Sequence, residues 1–332
     1  MTAPIVELRR VSKRFVLAPG FAETLASRLE GTPSSPAITA VNGVDFQISP
    51  GEAVGLVGES GSGKSTLGRI ISALCEPSEG AVLLRGVDRA TLDRDERVKA
   101  RLGVQMIFQD AFASLNPRLR VGQIIGEAPS IHHLVRHSDL ETFIDAVLSR
   151  VGLDPGYKHR YPHQLSGGQC QRIGIARALA VNPDLLVCDE PVAALDVSIQ
   201  AQIINLFIQL REETGHSYLF ISHDLGVIEH VADRIVVMYL GRIVESASTE
   251  ALLAAPNHPY TCALIAEVPR FGQSRRRYAP LRGEVPSALS PPAGCHFHPR
   301  CPHAIERCRR ERPALKEIAP GRVSACHLND RA

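Results

Sequence analysis

A glycine-rich run at residues 58–66, GESGSGKST, has the residue types and the spacing that bind phosphate groups. It fits the pattern G-x-x-x-x-G-K-[ST], in which glycines let backbone N–H groups point at one anion. Lys64 would place a positive charge on the β- and γ-phosphates, and the Ser65 hydroxyl is suited to ligating Mg²⁺. We therefore predict nucleotide binding, the alternative being a glycine-rich turn with a solvated lysine. The predicted ATP ligands in this run are Gly58, Ser60, Gly61, Ser62, Gly63, Lys64, Ser65 and Thr66.

A second run, LLVCDEP at 185–191, ends an apolar stretch with two carboxylates. A strand over the apolar part would place Asp189 at the sheet edge, near the Mg²⁺ of the phosphate loop. Glu190 would then lie where it can polarise an attacking water, as phosphoryl transfer to water requires. An isolated Asp-Glu pair is more often a solvated strand end, so this prediction depends on the two runs together.

The apolar runs indicate the elements that would position these residues. VGLVG at 54–58 precedes the glycine loop and TLGRIISAL at 66–74 follows it with helical spacing, which is the opening of an α/β unit with a parallel sheet. Residues 120–182 have a helical pattern, so a helical block should interrupt the α/β core. Runs that are apolar at every position predict further strands covered on both faces, at 104–108, 185–188, 218–222 and 234–240.

The regions outside this core have a different composition. Residues 4–17 and 38–57 predict short strands, and they flank a Gly-, Pro- and Ser-containing stretch at 18–37 that we interpret as an insertion loop. Near the other end, 280–294 has the composition of a linker or an irregular loop.

Composition and charge exclude several classes of protein. Hydrophobic residues make up 44% and charged ones 22% of the 332 residues, which is typical of globular proteins and excludes disordered and low-complexity chains. No apolar run reaches the roughly 18 residues that span a bilayer, and we expect no signal peptide. Residues 270–332 carry a net charge of +8 and residues 1–269 one of −6. The basic tail suits RNA, anionic lipid or an acidic protein face, and equally a solvated surface.

LSGGQ at 165–169 resembles the signature of ATP-binding cassette (ABC) ATPases. Other motifs stand in that family's order: Gln109 matches the Q-loop, Ala194-Leu195-Asp196 the D-loop and His223 the switch histidine. Phe15 stands where the family has an aromatic residue that stacks on adenine, and the alternative is a core aromatic on a strand face. The resemblance implies an α/β fold, a P-loop NTPase core of the ABC type with an inserted helical subdomain and a small irregular C-terminal region that contains cysteines.

The resemblance also implies that two subunits share each ATP. One subunit would bind ATP and Mg²⁺ through the phosphate loop, with the metal ligands Ser65, Gln109 and Asp189. Its catalytic residues would be Glu190, His223 and Gln109. The other subunit would direct a helix N-terminus at the γ-phosphate. Its residues acting in trans would be Ser166, Gly167, Gly168, Gln169 and Asp196.

Longer segments resemble the ATPase subunits of oligopeptide and dipeptide importers, among them RYPHQLSGGQCQRIGIARAL in the cassette and NHPYT, LRGEVPS and PPAGCHFHPRCP in the tail. Ala193 departs from that subgroup, which usually has Ser there. The resemblance implies an ABC ATPase domain at 1–255, with the helical subdomain at about 115–182, and a C-terminal extension at 256–332. The implied function is ATP hydrolysis that energises uptake of di- or oligopeptides or a related small solute.

The partners that the resemblance implies are a second ATPase subunit (paralogue or identical copy), two membrane permease subunits and an extracytoplasmic solute-binding protein. The protein would then be peripheral, on the cytoplasmic face of the inner membrane, and no nucleic acid partner is expected. We expect the surface after Gln109 and the block at 120–180 to contact the permease. Two alternatives remain: a soluble ABC ATPase acting on nucleic acid or ribosomes, and a P-loop protein that binds nucleotide without turnover.

Four of the eight cysteines lie in the tail with the spacing C-x5-C-x6-C-x17-C: Cys295, Cys301, Cys308 and Cys326. Histidines lie among them, so a Zn²⁺ site is chemically reasonable, and four thiolates also suit a [4Fe–4S] cluster. The resemblance implies the cluster in at least some members of the subgroup. We predict the cluster, with Zn²⁺ and with reduced or disulfide-paired thiols as alternatives. The remaining cysteines are predicted to be small buried hydrophobes: Cys75, Cys170, Cys188 and Cys262.

Overall fold

The fold is seen in a computed structural model, which describes residues 3–16, 37–193, 195–267 and 283–331. The strands are β1 (Val6–Val16), β2 (Ala37–Ile48), β3 (Ala53–Val57), β4 (Glu79–Leu84), β5 (Val87–Asp88), β6 (Val104–Ile107), β7 (Leu185–Asp189), β8 (Ser217–Ser222), β9 (Arg234–Tyr239), β10 (Arg242–Ser248), β11 (Lys316–Ala319) and β12 (Arg322–Ser324). The α-helices are α1 (Lys64–Ile71), α2 (Arg94–Gly103), α3 (Ala111–Ser114), α4 (Val121–Ile131), α5 (Leu140–Arg150), α6 (Gly167–Leu179), α7 (Val197–Thr214), α8 (Leu225–Val231), α9 (Thr249–Ala254), α10 (Pro259–Ala266) and α11 (Glu306–Arg310).

The larger sheet has the strand order β11-β12-β10-β9-β3-β8-β7-β6. Its strands from β9 to β6 are parallel, and every residue of β3, β7 and β8 is buried. The strands predicted from continuous apolar runs are therefore confirmed, because helices or the second sheet cover both faces. Parallel strands end at one edge, and the loops that leave the carboxyl ends of β3, β7 and β8 carry the predicted site residues.

The smaller sheet is antiparallel, with the order β2-β1-β4-β5. The strands predicted at 4–17 and 38–57 are confirmed as β1, β2 and β3. Residues 17–36, which hold nearly all of the predicted insertion loop, lie outside the described residues, and Ala37 already belongs to β2. Strands β4 and β5 were not predicted from the sequence; β4 pairs with β1, and the two-residue β5 pairs with β4.

Two apolar clusters fill the molecule, one on each face of the larger sheet. Alternate residues of β3 enter different clusters, with Val57 facing the helices of the 120–182 block and Leu56 facing α1 and the smaller sheet. Helix α1 packs tightly on the sheet, since a Cβ atom on Gly68 would lie 2.6 Å from Ile221 Cδ1. This packing fixes the start of α1, and with it the phosphate loop, above the strand ends.

The helical block between β6 and β7 contains α3 to α6, joined by turns and short 3-10 helices. It agrees with the helical pattern predicted over 120–182, while α3 begins before that range. In the part of the chain that the structure describes, no helix is both long enough and apolar enough to cross a bilayer.

The C-terminal tail is joined to the larger sheet. After an irregular stretch from residue 283 and the short helix α11, β11 and β12 form a hairpin, and β12 pairs with β10 through Glu245–Ser324 and Ser246–Val323. The prediction of an irregular tail is therefore wrong for residues 316–324. The two strands are only three or four residues long, too short for their alternation to stand out in the sequence, and their pairing with β10 is non-local.

Candidate functional site

The predicted phosphate loop connects β3 to α1. Gly63 is the N-cap of α1, with φ of 101° and no side-chain cap hydrogen bond. A Cβ atom there would lie 2.1 Å from the carbonyl oxygen of Ala40, and one on Gly58, where φ is 153°, would lie 2.2 Å from that of Met238. Both positions therefore need glycine, because neighbouring backbone passes too close for a side chain.

Lys64 is buried at the centre of this loop, with a relative exposure of 5%. Its Nζ donates to the carbonyl oxygens of Gly58 at 2.7 Å and Glu59 at 2.9 Å. Burial lowers the pKa of Lys64, while the carboxylates of Glu190, Asp189 and Glu59 act in the opposite direction. An ammonium group held among backbone amides and next to acidic residues is suited to the β- and γ-phosphates of a nucleotide that carries Mg²⁺.

Two of the predicted Mg²⁺ ligands meet although they are far apart in sequence. The Ser65 hydroxyl donates to Asp189 Oδ1 at 2.8 Å. Burial raises the pKa of Asp189, and the hydrogen bond from Ser65 acts against this rise. A hydroxyl and a carboxylate oxygen side by side fit Mg²⁺, which prefers oxygen ligands and is usually held by few protein groups.

Glu190 brings the three predicted catalytic residues together. Its Oε2 accepts a hydrogen bond from Gln109 Nε2 at 2.8 Å, and its Oε1 lies 3.0 Å from His223 Nδ1. Gln109 follows β6, Glu190 follows β7 and His223 follows β8. The backbone of Glu190 has φ of 48°, a left-handed conformation that non-glycine residues seldom adopt, and its N–H donates to Ile221. Gln109, also predicted to ligate Mg²⁺, thus contacts Glu190 rather than Ser65 or Asp189.

The predicted signature at 165–169 begins a different helix, α6. Ser166 Oγ accepts from the Gln169 backbone N–H at 3.3 Å, and Gln169 Oε1 accepts from that of Ser166 at 3.0 Å, which forms a capping box. Ser166 and Gly167 are exposed, whereas a Cβ atom on Gly168 would lie 2.7 Å from Ile199. Among the described residues, no hydrogen bond joins this motif to the phosphate loop.

Asp196 and Phe15, the other two predicted ligands, are exposed. Asp196 is the N-cap of α7, beside Val197, whose exposed fraction is 81%. Ala194, part of the predicted D-loop, lies outside the described residues. Phe15, near the end of β1, is 41% exposed with Lys13 Nζ 5.2 Å from its ring centroid, so it is not a core aromatic.

The sequence did not predict that the tail contacts the phosphate loop. Arg300 and Tyr260, both in the tail, hydrogen-bond to Glu59. Glu59 occupies a variable position of the phosphate-binding pattern, so nothing in the spacing marks it. The segments NHPYT and PPAGCHFHPRCP indicated that these tail residues matter, but not what they touch.

The cysteines are all free in the structure. Cys170 and Cys188 are buried as predicted, and Cys75 is only half-buried, packed against the apolar cluster. Cys262 is exposed, so the prediction of a buried hydrophobe is wrong there. Within residues 3–16, 37–193, 195–267 and 283–331, no three His, Cys, Asp or Glu side chains are placed so that they could hold one metal ion. The Zn²⁺ alternative for the tail is therefore not supported, and the structure gives no evidence for the [4Fe–4S] cluster.

Comparisons with known proteins agree with this geometry. Residues 41–193 match the family described as ABC transporter, and residues 244–308 match the oligopeptide/dipeptide transporter C-terminal region. The oligopeptide transport ATP-binding protein AppF of Bacillus subtilis (strain 168) is 48% identical over 328 residues, which cover 98% of this chain and 97% of AppF. The chain belongs to the ABC transporter ATP-binding family. YkfD of the same organism is 50% identical over 295 residues, covering 88% of this ABC ATPase and 90% of YkfD.

A solved structure supports the fold of this ABC ATPase. The ATP-binding cassette MJ0796, in a dimeric post-hydrolysis state bound to ADP and Pi, has a TM-score of 0.62 and is 31% identical, covering 74% of this chain and 98% of that chain. The predicted P-loop NTPase fold of ABC type is therefore confirmed, as are ATP hydrolysis and its cofactors ATP and Mg²⁺, which the family implies. A soluble ATPase acting on nucleic acid is not supported.

Proposed function

We propose that this ABC ATPase energises the import of di- or oligopeptides. The observation that carries the proposal is the match of residues 244–308 to the oligopeptide/dipeptide transporter C-terminal region. In addition, AppF, which is similar to this chain over nearly its full length, is named an oligopeptide transport ATP-binding protein. The domain division at residue 255 and the helical subdomain at about 115–182 belong to this proposal. The ABC transporter match lies within residues 1–255, and the match to the C-terminal region begins at residue 244, shortly before the division.

Hydrolysis would occur at the cluster around Glu190. The phosphates would lie on the amide groups of the loop at 58–66, with the ammonium of Lys64 on the β- and γ-phosphates. Ser65 and Asp189 would hold Mg²⁺, which neutralises charge that develops on the phosphates. Glu190 would accept the proton of the attacking water. The hydrogen bond from Gln109 and the contact with His223 support this role, because they fix both oxygens of the carboxylate.

A second ATPase subunit, identical or paralogous, would complete each site. The exposed signature residues Ser166 and Gly167 and the exposed Asp196 are free to face a partner, and the dimeric cassette MJ0796 supports this arrangement. The N-terminus of α6 would face the γ-phosphate of the nucleotide held by the partner. ATP would then bind the closed pair more tightly than the open one, and this difference would drive the conformational change.

The surface that follows Gln109 would dock the two permease subunits. Phe112, Ile131 and Leu134 are large apolar side chains there with exposed fractions of 49%, 64% and 47%. Exposed apolar groups of this size often mark protein contacts. This docking would place the protein on the cytoplasmic face of the inner membrane, in a complex that also uses an extracytoplasmic solute-binding protein and no nucleic acid.

The four tail thiols carry a finer proposal, an iron–sulfur cluster with a structural role. The proposal rests on the family resemblance and on the proximity of the thiols: burial first, and then the nearby Cys308, Cys301 and Cys326, together raise the pKa of Cys295 to about 11. The described residues lack three side chains placed to hold one metal ion, which counts against Zn²⁺. A four-iron cluster is larger than a single ion and needs its ligands farther apart. Anaerobically prepared protein should contain iron and sulfide, roughly four of each per chain. Zinc without sulfide, or metal-free protein with four alkylatable tail thiols, would overturn the cluster.

Transport can be tested on the membrane complex purified with this chain. In proteoliposomes loaded with ATP and supplied with its solute-binding protein, uptake of a labelled tripeptide should require ATP and should be lost with Lys64→Ala. A matched set with a labelled sugar and with nickel tests other solutes. Uptake of one of these but not of peptides would contradict the peptide substrate, and copurification with ribosomes instead of membrane subunits would contradict import.

A further inference from the structure

The tail binds the phosphate loop through an ion pair with Glu59. Arg300 Nη1 donates to Glu59 Oε2 at 2.6 Å, and Nη2 donates to Oε1 at 2.9 Å. The Arg300 side chain is 4% exposed and that of Glu59 24%. Parallel hydrogen bonds between a guanidinium and a carboxylate fix direction as well as distance. The pair therefore constrains where the Glu59 side chain lies.

A second tail segment holds the backbone of the same residue. The Glu59 N–H donates to the hydroxyl oxygen of Tyr260 at 2.7 Å. Tyr260 is fully buried in the first turn of α10, whose N-cap is His258. The side chain and the backbone of Glu59 are thus held by two tail segments that are 40 residues apart in sequence, at 260 and 300.

Both tail residues stand on a rigid aromatic support. The rings of Tyr239, Tyr260 and Phe297 pack together with centroids 4.6 to 5.4 Å apart, and each residue is at most 1% exposed. The Arg300 backbone N–H donates to Phe297, three residues earlier, and its Nη1 lies 3.5 Å from the Tyr239 hydroxyl. Because Tyr239 ends β9 of the larger sheet, the support is continuous with the core.

Glu59 in turn acts on Lys64. The Glu59 carbonyl accepts from Lys64 Nζ at 2.9 Å and from the Ser62 N–H at 3.2 Å. A shift of this peptide unit would move the lysine and the turn that presents the loop amides. A chain of contacts therefore runs from Arg300 and Tyr260, through Glu59, to the ammonium group that the phosphates need.

We propose that Arg300 and Tyr260 are positioning residues for ATP, and that the C-terminal extension thereby forms part of the support of the nucleotide site. The proposal rests on the assignment of residues 58–66 as the phosphate loop. The extension would hold that loop, through Glu59, in the conformation that accepts the phosphates, so binding requires less reorganisation. Neither residue is placed at the water or the γ-phosphate, so the effect falls on ATP affinity.

The test uses the full chain in its membrane complex, with the ATP dissociation constant and the kcat and KM for hydrolysis measured for each variant. Arg300→Met should raise the dissociation constant and KM about tenfold or more while kcat changes by less than about threefold, because the Glu59 carboxylate loses the guanidinium fork that fixes its position. Tyr260→Phe should raise both several-fold. Arg300→Lys should fall between wild type and Arg300→Met, since it keeps the charge and loses the fork.

Controls separate positioning from a general loss of structure. Arg310→Met removes an exposed tail ion pair with Glu306 and should leave ATP affinity unchanged. Glu59→Gln and Arg300→Met should together cost less than the sum of their separate effects, as expected of one coupled pair. Should Arg300→Met fail to fold, Tyr260→Phe and Arg300→Lys decide, because they keep the packing.

The failures of the two proposals are distinguishable. If Lys64→Ala weakens ATP binding but Arg300→Lys, Arg300→Met and Tyr260→Phe all leave it within twofold of wild type, the positioning role is wrong. Equal losses of kcat and affinity in step with a lowered melting temperature would also overturn it, since they indicate a purely structural role. If Lys64→Ala itself binds ATP normally, the assignment of the phosphate loop is wrong.

Discussion

Two helices of this ABC ATPase differ at their N-termini: the N-cap of α1 is a glycine that precedes the buried Lys64, and the N-cap of α6 is an exposed serine. Helix α1 begins after Gly63, which provides no side-chain cap, and its first residue, Lys64, is buried beside Asp189 and Glu190. Helix α6 begins after Ser166, which is exposed and closes a capping box with its own chain. At the start of α1 no side chain caps the backbone N–H groups, so they are available to a ligand. At the start of α6 the capping box already provides a hydrogen-bond acceptor for one of these N–H groups.

This difference indicates how each terminus can be used. The N-terminus of α1 has a buried ammonium group, a hydroxyl and two carboxylates within one chain, which is the set that the proposed nucleotide site requires. The N-terminus of α6 offers a helix dipole and an exposed hydroxyl but no cation of this kind. In the proposed dimer it would add to an anion that the second subunit already holds.

The largest expected effect comes from breaking the chemistry on the α1 side. Glu190→Gln should lower phosphate release by about 10²- to 10⁴-fold, because the amide keeps the shape but cannot accept the proton of water. ATP binding should remain. Phosphate release by the assembled complex and bound ATP after filtration measure the two quantities. Glu229→Gln, on the exposed face of α8, is the control, and near-normal turnover in Glu190→Gln would show that Glu190 is not the base.

A mixed dimer tests whether the α6 side acts across subunits. One copy carrying Lys64→Ala and one carrying Ser166→Arg should leave one intact composite site, whereas either variant paired with itself leaves none. The mixed pair should therefore hydrolyse ATP faster than both uniform pairs, provided that the sites can work independently. Activity no higher than in the uniform pairs would contradict trans pairing. With a paralogous partner, the substitutions are divided between the two native chains.

A third helix start, that of α10, gives a prediction about pH. His258 Nδ1 accepts from the Tyr260 N–H at 3.1 Å, and burial lowers the pKa of His258 to about 4. The unfolded chain binds a proton on this histidine below about pH 6.5, but the folded chain does not until about pH 4. The free energy of unfolding should therefore fall as pH decreases from about 6.5 to about 4, by about 3 kcal/mol from this group.

Replacing this cap tests the origin of that pH dependence. His258→Asn keeps an acceptor for the Tyr260 N–H but does not titrate, so its urea unfolding should depend less on pH in this range. His137→Asn, in an exposed 3-10 helix, is the control. An unchanged slope in His258→Asn would show that other groups cause the acid sensitivity.

The smallest expected effect concerns the base of the nucleotide at the α1 site. Phe15→Ala should weaken ATP binding about two- to tenfold through loss of stacking on adenine, while Phe15→Trp should retain it. Val16→Ala, at the exposed neighbouring position, is the control. If Phe15→Ala has no effect on ATP affinity, the adenine base does not stack on Phe15. That result would not affect the proposed difference between the N-termini of α1 and α6.

The sequence predicts well those parts of the fold whose structure is determined by a short stretch of neighbouring residues. Continuous apolar runs identified β6 to β9 because such strands are buried on both faces, and the phosphate loop is defined by a compact pattern. The meeting of Gln109 and His223 at Glu190 depends on strand order, which no local spacing determines; the family resemblance supplied it. The contact of Arg300 with Glu59 spans 241 residues, and neither pattern nor resemblance indicated it.

The pairing of β12 with β10 has a consequence for any shortened form of this protein. Glu245 in β10 is fully buried and accepts hydrogen bonds from the backbone of Asn257 and His258 and from Arg322, which follows in the tail. A chain that ended at residue 255 would lose all three donors and would expose the outer edge of β10. Uncovered strand edges pair with other chains, so we expect such a cassette to aggregate, as light scattering would show, rather than persist as a soluble minimal ATPase.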